Sequence, residues 1–382
     1  MAFFKIEHGC IMNQSSGEFY QGFDTEKKIK YYFYIPNDLG LIVEELEIDA
    51  QLSALLVQAH RELGILEGMT KYMQSIASYE NMLICHESQY SCAVDGIISS
   101  CWDNREDNKA AHKCYQAIKS IYKTPISSKQ ICELQTIIMR EEQRESDGKI
   151  RDKQFFMNPN YTINMQEYNP PHPQVVEELL DDLIVFIAED DTVDVLIRAA
   201  LVFYQFETIH PFVGGNGRVG RILPSMLLMQ KRILARPILF LSKYFFDNND
   251  ECINWFRRVQ FLDDFTGWIK YFIQGIIESV QMTIRQLEQA DAIRVESKRK
   301  INTIKASSKA TLLLNEILDY IEQTPIVSVK EIAENFQIAY NTAAKSIDIL
   351  VDLKILRLVN EQARYREYYY EKYVDSMFKS LI

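Results

Sequence analysis

The chain has 382 residues, 47% hydrophobic, 25% charged and 12% aromatic, with 53 Asp and Glu against 42 Lys and Arg for a formal charge of −11. These proportions exclude collagen, low complexity and wholesale disorder, and the length points to two or three domains with real cores. The acidic balance excludes broad charge-driven binding to nucleic acid or membrane, which relies on clustered Lys and Arg neutralising phosphates, although a local basic face stays open.

The first residues, MAFFKIEHGC, lack the cationic and apolar stretches of a secretory signal, and no run of about 18 apolar residues could span a bilayer, so a cytoplasmic location is expected. Residues 1 to about 40 are rich in Gly, Ser and aromatics and end in YYFYIPNDLG, where Pro36 and Gly40 interrupt regular structure. An extended arm is expected there. From about Leu46 to Met73 the apolar positions Leu52, Leu55, Leu56, Ala59, Leu63 and Leu66 recur at three- and four-residue spacing, the amphipathic helix period. Helical patterning resumes from Met82 to Gly96, Lys109 to Tyr122, Ser128 to Arg140, Pro173 to Ala188, Val193 to Thr208, Gly217 to Gln230 and Glu251 to Glu288. Between Gly148 and Asn169, short runs punctuated by Asn and Pro predict the one hairpin of a mostly helical domain. Arg294 to Lys309 is polar and reads as a joint. Beyond it come an apolar-periodic helix (Leu312 to Ile321), a short helix capped by Ser328, a helix from Tyr340 to Leu353 and two alternating strands, ILRLV and ARYREYYYE, a winged-helix order. Seven cysteines (Cys10, Cys85, Cys92, Cys101, Cys114, Cys132 and Cys252), odd in number and without a CxxC pair, read as reduced thiols and imply no zinc site.

The richest segment is ETIHPFVGGNGRVGR, Glu207 to Arg221. His210 closes a helix that Pro211 cannot continue, and Gly214, Gly215 and Gly217 form a loop whose backbone can approach a ligand. The loop leads into a helix, so its N–H groups suit phosphate. Arg218 and Arg221, three residues apart, project from one face and can hold further phosphates. An imidazole ordinarily titrates near neutrality, so His210 could take a proton from an attacking hydroxyl. At residue frequencies of about one in twenty, this joint spacing arises by chance in of order one in a billion starts.

At HPFVGGNGRVGR the sequence resembles the Fic family, whose motif is HxFx(D/E)GNGRxxR, and the resemblance extends through NPPHPQVVEELLDDL and LIRAALVFYQFE upstream and ILFLSKYFFDNNDECINWF downstream. It implies a mainly α fold class: a Fic-type helical core at 105–292 with a small β-hairpin flap, an N-terminal arm and helical extension at 1–104, and a C-terminal winged helix-turn-helix domain at 305–382. It implies a protein adenylyltransferase that transfers AMP from ATP to a Ser, Thr or Tyr hydroxyl of another protein or of itself. His210 would be the general base. Gly215, Asn216, Gly217, Arg218, Val219, Gly220 and Arg221 would bind the nucleotide, with Phe212 packed beneath, and Phe155 and Phe156 would lie on the flap that pins the target. Where the family carries its metal-binding acid this chain has Gly214, so no protein ligand to metal is expected, Mg²⁺ or Mn²⁺ would be weakly held, and activity would be reduced.

SCAVDG (Ser91, Asp95, Gly96) resembles the family's inhibitory helix, (S/T)xxxE(G/N), with Asp for Glu. Asp is one methylene shorter, about 1.5 Å in reach, so a looser brake on Arg221 is expected. Ser91 and Asp95 also fit a polar face at a helix end with Gly96 as C-cap. In the C-terminal unit Asn341, Thr342 and Lys345 could reach a DNA groove, with Arg357, Arg364 and Arg366 in the wing, but 10 Lys and Arg against 11 Asp and Glu from Lys305 to Ile382 give no basic excess. DNA, a protein partner and homodimerisation stay open. The alternative reading is a nucleotide-responsive regulator acting through the winged helix.

Overall fold

The computed structural model describes residues 12–24, 28–73, 76–99, 101, 109–120, 125–139, 148–157, 169–189, 193–359 and 366–378. They form two compact units, one from residues 1–67 and 87–280 and the other from 68–86 and 281–382. Helices dominate both.

The first unit opens with an antiparallel sheet of β1 (Met12–Gln14), β2 (Gly17–Asp24) and β3 (Ile29–Pro36) in that order. The expected extended arm is therefore a meander. Its aromatics decide this: Phe19 pairs with Tyr34 across the strands, and both are buried with Phe33. Gly22 pairs with Tyr31, whose ring lies where a Cβ on Gly22 would stand, 2.4 Å from Cζ, so the ring covers the glycine's bare backbone.

The helices that follow are α1 (Leu39–Glu45), α2 (Ala50–Tyr72), α3 (Ile76–Val94), α4 (Ala110–Ser120), α5 (Ser128–Met139), α6 (Pro173–Ala188), α7 (Val195–Ile209), α8 (Asn216–Gly220), α9 (Leu223–Gln230), α10 (Ser242–Asp247), α11 (Asn249–Leu262) and α12 (Phe265–Thr303). α7 is the axle of this unit. It is apolar nearly all round, as a central helix must be, and Asp194 caps it by accepting from the Leu196 N–H at 2.9 Å. Even its Arg198 is buried, donating to the Phe186 carbonyl with its guanidinium over the Phe186 ring. Two expected helices break. The stretch from Gly217 to Gln230 divides at Arg221 and Ile222, just before Pro224, and that from Glu251 to Glu288 divides at Asp263, whose φ is 56°. Of the hairpin expected between Gly148 and Asn169, residues 148–157 carry no strand, and 158–168 lie outside the described residues.

In the second unit α12 continues to Thr303, so the polar stretch expected to be a joint is largely helical. Ile301 and Ser297 give it a buried face, and Glu296 pairs with Arg299 one turn on at 2.7 Å. Next come α13 (Ser308–Ile321), β4 (Ile326–Ser328), α14 (Val329–Asn335), α15 (Tyr340–Asp352), β5 (Arg357–Leu358), β6 (Glu367–Tyr369) and α16 (Glu371–Phe378), with sheet order β4-β6-β5. Ser328 and Glu331 make a reciprocal capping box on α14. Tyr79 of α3 belongs to this unit, donating to Asp291 at 3.1 Å, and the buried Glu322 pairs with Arg294 at 3.0 Å. Arg364 lies outside the described residues. No helix among the described residues is long and apolar enough to cross a membrane.

Candidate active site

α7 delivers His210 to a turn that its own backbone resists: φ is 50°, a left-handed conformation costing a non-glycine residue about 1 kcal/mol. Arg151 offsets this. The buried guanidinium donates from Nε to the His210 carbonyl at 2.8 Å and from Nη2 to the Pro171 carbonyl at 2.6 Å, while the Arg151 N–H donates to the Pro211 carbonyl at 2.9 Å. The segment 148–157 is thereby fastened under the loop. Gln135 of α5 adds a second strap, donating to the Gly214 carbonyl at 3.1 Å and accepting from the Gly148 N–H at 2.5 Å.

Asn216 closes the loop from inside, accepting from the Phe212 N–H at 2.9 Å and donating to the Phe212 carbonyl at 2.8 Å. Gly215 has φ 78°, which favours glycine, and a Cβ there would also crowd Met139 Sδ at 3.1 Å. Phe212 and Val219 are fully buried, so both pack beneath the loop.

Both arginines meet one carboxylate. Arg221 Nη2 donates to Asp95 Oδ1 at 2.8 Å and Arg218 Nε to Asp95 Oδ2 at 3.1 Å, with side-chain exposures of 5% and 7% for the arginines and 26% for Asp95. Ser91 adds two acceptors to Arg221: Oγ at 3.0 Å from Nε and the carbonyl at 2.6 Å from Nη2. The shorter Asp side chain thus reaches Arg221 with one hydrogen bond and Arg218 with another. Gly217 permits it, since a Cβ there would stand 2.7 Å from Arg221 Nη1 and 3.2 Å from Asp95 Oδ1. The helix-end reading of Gly96 also holds. Ile97 N–H donates to the Cys92 carbonyl and Gly96 N–H to that of Ala93, with Gly96 at φ 74°, a Schellman motif that leaves Asp95 as the capping residue.

One helical turn before Ser91, the buried Glu87 accepts from Ser242 Oγ at 2.5 Å and Ser242 N–H at 3.1 Å. Glu87, Ser91 and Asp95 therefore form one stripe on α3 at four-residue spacing. Sequence reasoning found the last two and missed the first, because its partner lies 155 residues away.

His210 and Arg221 border a cavity of about 540 Å³, together with Glu207 and with Phe203, Ile253 and Phe256. Desolvation, helped by the Arg151 guanidinium, pushes the His210 imidazole down to about 4, so the ring is neutral at physiological pH. The Phe155 ring packs on it with centroids 4.9 Å apart. Phe156 turns away and meets Tyr31 edge-on at 5.1 Å. The structure therefore gathers His210, the glycine loop, Arg218, Arg221, Ser91, Asp95 and Phe155, but not the Phe156 side chain. Sequence reasoning did not find Arg151, Gln135, Glu207 or the cavity wall on α11. For the last, the spacing of Asn249, Cys252, Ile253 and Phe256 marks a helix face without saying what it faces.

Residues 125–228 match the Fic/DOC family, so the chain carries a Fic/DOC family domain. It is 38% identical over 78 residues to a probable protein adenylyltransferase of Aquifex aeolicus strain VF5, covering 20% of this chain and 24% of that protein. Over 201 residues, 52% of this chain and 35% of the other, it is 24% identical to a protein adenylyltransferase of Caenorhabditis elegans. The matches thus span a quarter to a third of these relatives' lengths. In fold it resembles a Fic family protein from Desulfovibrio desulfuricans G20, with a TM-score of 0.50 at 13% identity over 85% of this chain and 97% of that one.

Proposed function

We propose that this protein transfers AMP from ATP to a Ser, Thr or Tyr hydroxyl of a protein and is held in check by Asp95. The observation that carries the reading is that the neutral imidazole of His210 and the guanidinium of Arg221 border one cavity, while the Asp95 carboxylate occupies both loop arginines. A triphosphate offers those arginines the same chemistry as Asp95, with more charge. Nucleotide and Asp95 therefore compete.

In the proposed reaction the target hydroxyl oxygen attacks the α-phosphorus, the bond from that phosphorus to the α,β-bridging oxygen breaks, and pyrophosphate leaves. His210 takes the hydroxyl proton. Its pKa near 4 keeps the accepting lone pair free at neutral pH, and Phe155 holds the ring in place. The N–H groups of the glycine loop, from Gly215 through Gly217, hold phosphate oxygens, and Arg218 and Arg221 take the β and γ end. Gly220 leaves room for the helix to sit against Glu207.

The residues do not fit a protein-held divalent cation. Gly214 has no side chain and its carbonyl accepts from Gln135, and among the described residues no group of three or more His, Cys, Asp or Glu could hold an ion. No step is routed through a metal. The divisions at 1–104, 105–292 and 305–382 then read as a braking extension, a catalytic core and a winged helix.

A second reading, a nucleotide-responsive regulator working through the winged helix, draws on the first two turns of α15, where Tyr340, Asn341, Thr342 and Lys345 are exposed. A salt-dependent gel shift with a specific duplex, from a protein that transfers no AMP, favours it. Incorporation of AMP into a protein hydroxyl, lost in His210→Ala with ATP affinity retained, supports the transferase.

A further inference from the structure

The last turns of α7 hold a carboxylate that the reaction above does not use. Glu207 precedes His210 by three residues and borders the same cavity, and its Oε1 is buried without a hydrogen-bond partner. Buried carboxylate oxygens without donors are rare, because desolvation is then uncompensated. Gly220 makes the position possible, since a Cβ there would stand 2.0 Å from Oε1. Desolvation raises the Glu207 carboxyl to about 7, with Arg221 opposing.

Along α7 three residues line the cavity in order: Phe203, Glu207 and His210, about one turn or roughly 5 Å apart. Aromatic ring, acceptor and base follow one another along the wall. A nucleotide seated with its α-phosphorus at His210 repeats that order in reverse, as phosphate, hydroxylated sugar and flat base. Of its parts, the sugar is the one whose hydroxyls donate, and a carboxylate accepting from a ribose hydroxyl is a general mode of nucleotide recognition.

We propose that the Glu207 carboxylate, through the oxygen not packed against Gly220, accepts a hydrogen bond from a ribose hydroxyl of the bound nucleotide, which makes Glu207 a specificity residue selecting ribonucleotides over deoxyribonucleotides. The proposal rests on the nucleotide-site reading above. A Glu207 that served only as a counter-charge to Arg221 would be indifferent to sugar hydroxyls.

The test is calorimetric titration of full-length Asp95→Ala protein, with Glu207 intact or replaced by Gln or Ala, against ATP, 2′-deoxyATP and 3′-deoxyATP. With Glu207 intact and ionised at about pH 8, above its pKa of about 7, loss of one of the two hydroxyls weakens binding about tenfold, the size expected for one hydrogen bond to a charged acceptor. The ratio falls below about twofold in Glu207→Ala and lies between in Glu207→Gln, whose amide oxygen still accepts. Ratios within one variant cancel any loss of folded protein. Equal binding of all three nucleotides with Glu207 intact overturns the proposal alone, as does discrimination that survives Glu207→Ala. Failure of ATP itself to bind the Glu207 protein overturns the nucleotide reading and this proposal together.

Discussion

Replacing Asp95 with Ala leaves Arg218 and Arg221, each almost buried, facing one another without their shared counter-charge. At 2.8 and 3.1 Å each contact is worth about 5 kcal/mol at an effective dielectric of about 20, before the desolvation that offsets much of it. Breaking such a pair from one side typically costs about 3–5 kcal/mol. With Asp95 26% exposed, the lower figure applies. Relief of a carboxylate at a helix C-terminus recovers at most about 1 kcal/mol, so destabilisation wins. At about 2–4 °C per kcal/mol for a domain of this size, the net loss of about 2–3 kcal/mol should place the melting temperature of Asp95→Ala roughly 4–12 °C below wild type. ATP should reverse this, since its phosphates supply the missing charge: at a hundredfold excess over Kd a ligand adds about 2.7 kcal/mol. In wild type the same nucleotide must first displace Asp95, and the shift should be clearly smaller. Thermal scanning of both proteins with and without ATP reads all four values. A variant as stable as wild type, with the same response to ATP, would refute the claim that Asp95 and nucleotide compete for the arginines.

Two further outcomes follow from named contacts. Gly214→Asp should be tolerated, because its Cβ would meet only Met139 Cε at 3.4 Å, and should raise transfer and make it respond more steeply to Mg²⁺, as read by label incorporation across a metal titration. Glu207 is held up to about 7 against 4.5 for an ordinary Glu, so between these values the folded protein keeps a proton that the unfolded chain has released, and its contribution to stability is lost as pH rises. Glu207→Gln removes that slope, and its stability relative to wild type should increase from pH 4.5 to 7 in urea unfolding. A constant difference would contradict the assigned burial.

Much of the site was legible because it is local. HPFVGGNGRVGR places the histidine, the turn and both arginines within twelve residues, and the glycines announce a backbone that other residues cannot adopt. Ser91 and Asp95 were legible as a four-residue spacing at a helix end marked by glycine. What they touch was not, since the Arg221–Ser91 contact spans 130 residues and depends on Gly217 having no Cβ. Arg151 gave no periodic signal, because its donors go to main-chain carbonyls that any sequence supplies. The N-terminal sheet escaped for a related reason. Glycine and tyrosine read as loop residues until the register sets Tyr31 over Gly22. The last turns of α12, from Arg294 to Thr303, escaped because their buried face is narrow, and composition alone reads such a stretch as a joint.

The central claim is that His210 performs an AMP transfer that Asp95 restrains. Intact-mass measurement after incubation with ATP, Mg²⁺ and a cell lysate, for wild type, Asp95→Ala and Asp95→Ala/His210→Ala, tests it most directly. Wild type should modify little, Asp95→Ala should add whole AMP masses to itself or to lysate proteins, and the double variant should add none. Equal modification by wild type and Asp95→Ala, or modification that persists without His210, would contradict it.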